Sequence, residues 1–121
     1  MTDAGLFVGF GQPVRGREQL ALQVFNEALQ YYGELEAAGE IADFETVLLE
    51  PHGGDLSGYI LLRGDATKLA GVRASEDFQR LSARAGLVVE NFGVVGASLG
   101  SAIERQMALY QEGVEELAAV H

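Results

Sequence analysis

The chain holds two histidines, His52 and His121, and no cysteine. That supply sets the limits of its chemistry. Without a thiol there is no thiolate metal site, no thiol nucleophile and no disulfide framework. His52 stands between Glu50 and Asp55 in the segment 51-PHGGDLSG-58. Folded together, the three could hold a divalent ion. The simpler reading is an exposed turn in which Asp55 accepts from backbone N–H groups of its own loop. A proximal haem ligand belongs on a rigid element, which neither a loop histidine nor the last residue of a chain provides. No metal and no other cofactor is therefore expected.

Two further motifs are partial. Gly9-Phe10-Gly11 follows an apolar run, but the dinucleotide fingerprint needs a glycine at position 14, where Val14 stands. A turn with a close backbone approach is the better account. Gly96-Ala97-Ser98-Leu99-Gly100 matches Gly-x-Ser-x-Gly. The hydrolase elbow, however, belongs to a parallel sheet with an acid and then a histidine downstream, and only His121 follows. A small-residue turn into a helix is expected instead.

The more informative candidates are polar groups set in apolar segments. Glu90 and Asn91 interrupt the apolar run 87–96, and Tyr59 and Arg63 share one face of a strand because strand side chains repeat every two residues. Tyr31 and Tyr32 lie on a long helix. A carboxylate or guanidinium in such a place must be paired or must titrate abnormally. One reading makes a small-molecule pocket, in which Glu90 or Asn91 orients a polar group while Phe10, Tyr59 and Phe92 hold a ring. The other makes a structural Glu90–Arg63 pair at a strand end or dimer interface, and it is the simpler of the two.

These residues need elements to position them. Residues 5–11 read as a short buried strand bounded by Pro13. Over residues 17–38, Leu20, Val24, Ala28, Tyr31 and Leu35 make an apolar stripe at helical spacing, with Gly39 as the stop. Residues 44–50 and 57–63 are β-rich runs around a Pro/Gly/Asp loop, hence a hairpin. Asp65 caps a segment that breaks near residues 71–75. Ser75 caps the main second helix, with Glu76 and Asp77 in its first turn, running over 76–85 and ending at Gly86. A fourth strand is expected over 87–96. A last helix over 101–119 carries Ile103, Met107, Tyr110, Val114 and Leu117 at heptad spacing, which a helix laid on its own sheet would explain.

The length of 121 residues suits one domain with a real core, and 48% apolar residues agree. No apolar run approaches the roughly 18 residues of a membrane helix. Residues 1–5 lack a basic, apolar leader pattern, so no signal peptide and a cytoplasmic location are expected. The net charge is −10, with ten acids against Arg15 and Arg17 over residues 1–60. Such a surface repels nucleic-acid phosphates and anionic lipid, so neither is an expected partner.

The order βαββαβ with a closing helix is that of an α+β, ferredoxin-like fold: one four-stranded antiparallel sheet with helices on one face. The strands are apolar on both parities, as at Leu48 and Leu49, Ile60 to Leu62, Val88 and Val89, Val94 and Val95. A sheet with one wet face should alternate, so both faces are expected to be buried, the second by another copy of the chain. In this the chain resembles the dimeric α+β barrel superfamily, and 73-RASEDFQRLSARAGLVVENFGVVGA-97 resembles the second helix and last strand of its small bacterial members. The resemblance implies a homodimer packed sheet to sheet, with a pocket between sheet and helices or within the barrel. It implies no particular substrate, since the superfamily includes monooxygenases, isomerases, haem enzymes and stress-responsive proteins. Three functions stay open: a homodimer binding a small apolar or aromatic metabolite, a cofactor-independent monooxygenase or isomerase with Glu90 as general base, and an acidic protein-interaction subunit.

Overall fold

The computed structural model describes residues 3–120, so His121 lies outside the described residues. The elements are β1 (Ala4–Phe10), α1 (Glu18–Ala37), β2 (Asp43–Leu48), β3 (Gly58–Gly64), α2 (Ala66–Ala74), α3 (Glu76–Val88), β4 (Gly93–Ser98) and α4 (Ser101–Val120). The sheet order is β2-β3-β1-β4, and every neighbouring pair is antiparallel. This is the expected ferredoxin-like α+β fold.

Helices α1, α2 and α3 cover one face of the sheet. Leu6 and Val8 of β1 stand opposite Leu62 and Ile60 of β3, and all four are buried under Ala28 and Tyr32 of α1, Leu69 and Val72 of α2, and Phe78 of α3. The alternation of β3 is complete: Ile60 and Leu62 are buried, while Tyr59, Leu61 and Arg63 look to the other face and are half-buried. That other face also carries Phe7, Val47 and Val95, in register with Leu61 or Tyr59 or with each other.

Local signals act where the residue types place them. Helix α1 closes with Gly39 at φ +77°, Gly39 N donating to the Glu36 carbonyl and Glu40 N to the Leu35 carbonyl. That is a complete Schellman closure, and a Cβ would strain it. Ser75 serves two helices at once. Its hydroxyl donates to the last-turn carbonyl of Val72 at 2.7 Å and accepts from Phe78 N at 3.3 Å, so α2 ends and α3 begins on one residue. Helix α2 passes through Gly71 unbroken, and the break falls at Ser75 alone.

Two expectations fail. Helix α3 does not stop at Gly86 but continues to Val88, and β4 begins only at Gly93. The physical reason is packing: Leu81, Ala85 and Val88 recur at helical spacing and close a second small core with Ala21 and Val24 of α1. Gly86 sits on the exposed side of α3, where it needs no unusual φ. Residues 89–90 then pair with the segment after β1. Asn91, at φ +53°, turns the chain into β4. The second failure is α4. It does not lie on its own sheet: none of its residues is buried, and its main contact is with β4, where it starts.

Candidate functional site

A cavity lies on the helix side, between α1, α3 and the end of the sheet that carries the β2–β3 loop. It measures about 380 Å³. Its walls are Val24, Phe25 and Ala28 of α1, Leu81, Ala85 and Val88 of α3, and the rings of Phe10 and Phe92. Leu22, Leu48 and Leu49 form its exposed rim. None of the described residues lining it is charged. Of its described lining residues, Tyr32, Ser57 and Ser82 are the ones that carry polar side chains.

Why the walls stand there follows from the turns that hold them. After β1 the chain passes Gly11, whose N donates to the Glu90 carbonyl at 2.7 Å. A Cβ at Gly11 would come within 2.6 Å of the Glu90 oxygen and 2.8 Å of the Asp55 oxygen. Three segments therefore meet at one bare backbone position: the end of β1, the β2–β3 loop and the α3–β4 turn. This is the close approach expected of the glycine pair, and it brings Phe10 and Phe92 to one side of the cavity. Phe10 meets Phe25 edge to face at 6.0 Å.

Tyr32 is the most deeply set polar side chain at this site, 2% exposed. Phe44 meets it edge-on at 6.0 Å, and Tyr31 leans on it at 5.6 Å. Burial, with a smaller contribution from Tyr31, pushes its phenol well above the ordinary tyrosine value. At neutral pH it is a neutral hydroxyl. Among the described residues no hydrogen bond to that hydroxyl is formed.

The structure divides the sequence-derived site residues into three groups. Phe10 and Phe92 line the cavity. Tyr59 and Arg63 lie on the opposite face of the sheet, so the single pocket imagined from Phe10, Tyr59 and Phe92 together does not form. Tyr59 stacks on Phe7 there. Glu90 and Asn91 are exposed in the α3–β4 turn rather than within a strand, and Glu90 works through its backbone. The Glu90–Arg63 pair is likewise absent. Arg63 donates instead to Asp43 at 3.1 Å and Glu45 at 3.3 Å on the neighbouring strand, and these bonds hold its guanidinium above its ordinary value. Asp43 and Glu45 follow from the same period-2 rule that paired Tyr59 with Arg63, but only the register of β2 on β3 names them.

The β2–β3 loop is tied by its histidine and not by Asp55. Nδ1 of His52 accepts from Gly54 N at 3.1 Å, which leaves Nε2 as the N–H that donates to the Leu56 carbonyl at 2.7 Å. Both ring nitrogens are thus committed to loop backbone, and among the described residues no group of three or more His, Cys, Asp or Glu side chains could hold a metal ion. Ser98 is exposed at the end of β4. The next turn, through Gly100 at φ +55°, is closed by Ser101, whose hydroxyl donates to Asp3.

The sequence alone does not single out Phe25, Ala85 and Leu81, which line the cavity. Their signal was present as helical stripes, but a stripe does not distinguish filled core from hollow.

No protein-family model matches the sequence, and no curated protein matches it. Among solved structures the chain is similar to a dimeric protein of unknown function and ferredoxin-like fold from Bacteroides fragilis NCTC 9343, at 11% identity and a TM-score of 0.57, over 80% of this chain and 97% of that one. It is also similar to a dimeric ferredoxin-like protein of unknown function from Jannaschia sp. CCS1, at 14% identity and a TM-score of 0.59, over 80% of this chain and 98% of that one. At these identities the likeness is one of fold. Among the described residues no helix is long and apolar enough to cross a membrane.

Proposed function

We propose that this ferredoxin-like chain is a homodimeric binding protein that receives a small, uncharged apolar or aromatic molecule in the cavity between α1, α3 and the sheet. The observation that carries the reading is the cavity's composition: about 380 Å³ walled by aliphatic and aromatic side chains with a few hydroxyls and no charge. That volume falls in the range of small-molecule sites, which are mostly apolar with a few polar groups that fix orientation. A charged ligand would lose its hydration there without gaining a counter-charge. Dimerisation is supported by the second sheet face, where Phe7, Val47, Tyr59, Leu61 and Val95 stand without helices over them, and by the dimeric state of both similar structures.

The binding reading is preferred to a cofactor-independent monooxygenase or isomerase on one ground. The carboxylate that would serve as general base, Glu90, points no described atom into the cavity lining, and no other carboxylate lines it.

Native mass spectrometry of freshly purified protein, compared with the same sample denatured, tests the reading. A dimer carrying mass that leaves on denaturation supports it, and the mass begins to name the ligand. Titration with the neutral fluorophore N-phenyl-1-naphthylamine should then saturate at one per protomer. Ala85→Trp, which fills the cavity, should abolish that binding while circular dichroism stays unchanged. Absence of saturable binding, or its survival in Ala85→Trp, overturns the reading.

A further inference from the structure

Helix α4 runs for 20 residues, about 30 Å at the usual rise, and buries no residue of its own. Ile103, Met107, Tyr110, Val114 and Leu117 form one stripe along it and are 43% to 69% exposed. A helix of this kind gains its stability in water from packing an apolar face, which this one does not do within its own chain. We infer that the stripe of α4 packs on a second copy of the chain, as an arm of the same interface that covers the open sheet face. The inference rests on the dimer proposed above and adds to it a named second half of the contact.

Three observations select the second copy as occupant. The first is continuity. Leu99, one residue before the turn into α4, puts its Cδ1 3.1 Å from where a Cβ at Gly5 would stand, beside Cδ1 of Leu61 at 3.2 Å. Gly5 and Leu61 belong to the open face. Helix α4 therefore leaves the molecule from that face, and a copy seated on the face meets α4.

The second is charge. Each copy carries −10, so two copies repel except through surfaces poor in charge. On a helical projection Glu104, Arg105, Glu112, Glu115 and Glu116 all stand roughly 100° or more from the centre of the stripe. The positions nearest the stripe are Gln106, Ala118, Gln111 and Gly113. On the sheet face, Arg63 is paired with Asp43 and Glu45.

The third is area. Four strands about 4.8 Å apart, with some six or seven residues rising about 3.3 Å each, offer roughly 400 Å² in projection. A stable dimer buries about 800 Å² per partner. The face of a helix about 30 Å long and 10 Å wide adds about 300 Å². In projection α4 therefore adds about three quarters to the area that the sheet face alone can offer.

The test uses the full chain as purified, with Leu61→Glu on the sheet face and Val114→Glu on the stripe, followed by sedimentation velocity over a range of concentrations. The wild type should be a dimer. Each variant should raise the dissociation constant at least tenfold while the cooperative urea transition of the core persists, because neither Leu61 nor Val114 belongs to that core. If Leu61→Glu dissociates the dimer and Val114→Glu does not, the role of α4 is overturned and the sheet-to-sheet dimer stands. A folded wild-type monomer overturns both, as does a monomer whose α4 binds phosphatidylcholine vesicles. An independent reading comes from Met107→Cys, the sole thiol in a chain without cysteine. A polarity-sensitive dye attached there should shift to the blue as protein concentration carries the chain into the dimer, and an unchanged spectrum would overturn the proposal.

Discussion

Phe7 stacks on Tyr59 across the β1–β3 pair, ring centroids 4.9 Å apart and planes 28° from parallel, on the sheet face turned away from the helices. Gly9 makes this contact possible. It pairs with Tyr59 in the register, and a Cβ there would meet Cε1 of Phe7 at 2.7 Å. The ring of Phe7 thus leans over the bare backbone of its own strand to reach its cross-strand partner. An aromatic pair of this kind contributes about 0.5–1.5 kcal/mol beyond its buried area. It presents a flat, half-buried surface with neighbours Leu61 and Val47.

Tyr59→Ala should weaken the dimer at least tenfold, about 1.4 kcal/mol, as measured by sedimentation. The monomer should keep its fold, because the main core lies on the other side of the sheet around Leu62. An unchanged dissociation constant would remove this face from the interface.

Arg63→Met and Glu90→Gln should act independently. Arg63 holds Asp43 and Glu45, so its loss leaves two like charges adjacent on β2 and lowers the melting temperature. Glu90 is exposed and works through its main chain, so its change should stay within about 0.5 kcal/mol of wild type. A double-mutant cycle in urea reads the coupling. A value above about 0.5 kcal/mol would mean that the two side chains meet.

Tyr32 makes stability depend on alkaline pH. Its phenol is raised above the ordinary 10.0, so between that value and the raised one the folded chain holds a proton that the unfolded chain has released. Stability is therefore full below about pH 10 and falls as the pH climbs past it. Tyr32→Phe should remove that part of the decline, seen by comparing urea midpoints at pH 8 and pH 11. Because the hydroxyl has no described partner, the substitution should change stability at neutral pH by less than about 1 kcal/mol. Identical pH profiles for the two proteins would contradict the buried phenol.

Gly11→Ala should destabilise by about 1–3 kcal/mol, read from the denaturation midpoint, since a methyl group there meets two carbonyl oxygens and not a movable side chain. It should also weaken binding of the neutral fluorophore, because the three segments that Gly11 brings together carry Phe10, Ser57 and Phe92 of the cavity wall. Wild-type stability in this variant would show that the three-way backbone contact is loose.

Local physics alone determined most of the architecture. The stripe over α1, the glycine that closes it at residue 39, the cap at Ser75 and the β-rich runs around residues 51–57 each act within a few residues. Their order specifies a ferredoxin-like sheet, and the apolar strands of both parities announced a second face in need of cover. What local pattern could not decide was the pair Leu87 and Val88. It is apolar in every position, so it suits a strand or the last turn of a helix, and only contact with Ala21 and Val24 chose the helix. That choice moved Glu90 and Asn91 out of the sheet and dissolved their roles in a strand-borne site. Register decided the rest. The alternation of side chains along β1 and β3 sent Phe10 to the helices and Tyr59 and Arg63 to the opposite face, and the pairing of β2 on β3 gave Arg63 to Asp43 and Glu45. The cavity and the bare stripe of α4 belong to tertiary structure in the same way. A helical stripe says which face is apolar, and only the distance to the next packed surface says whether that face is filled, hollow or still uncovered.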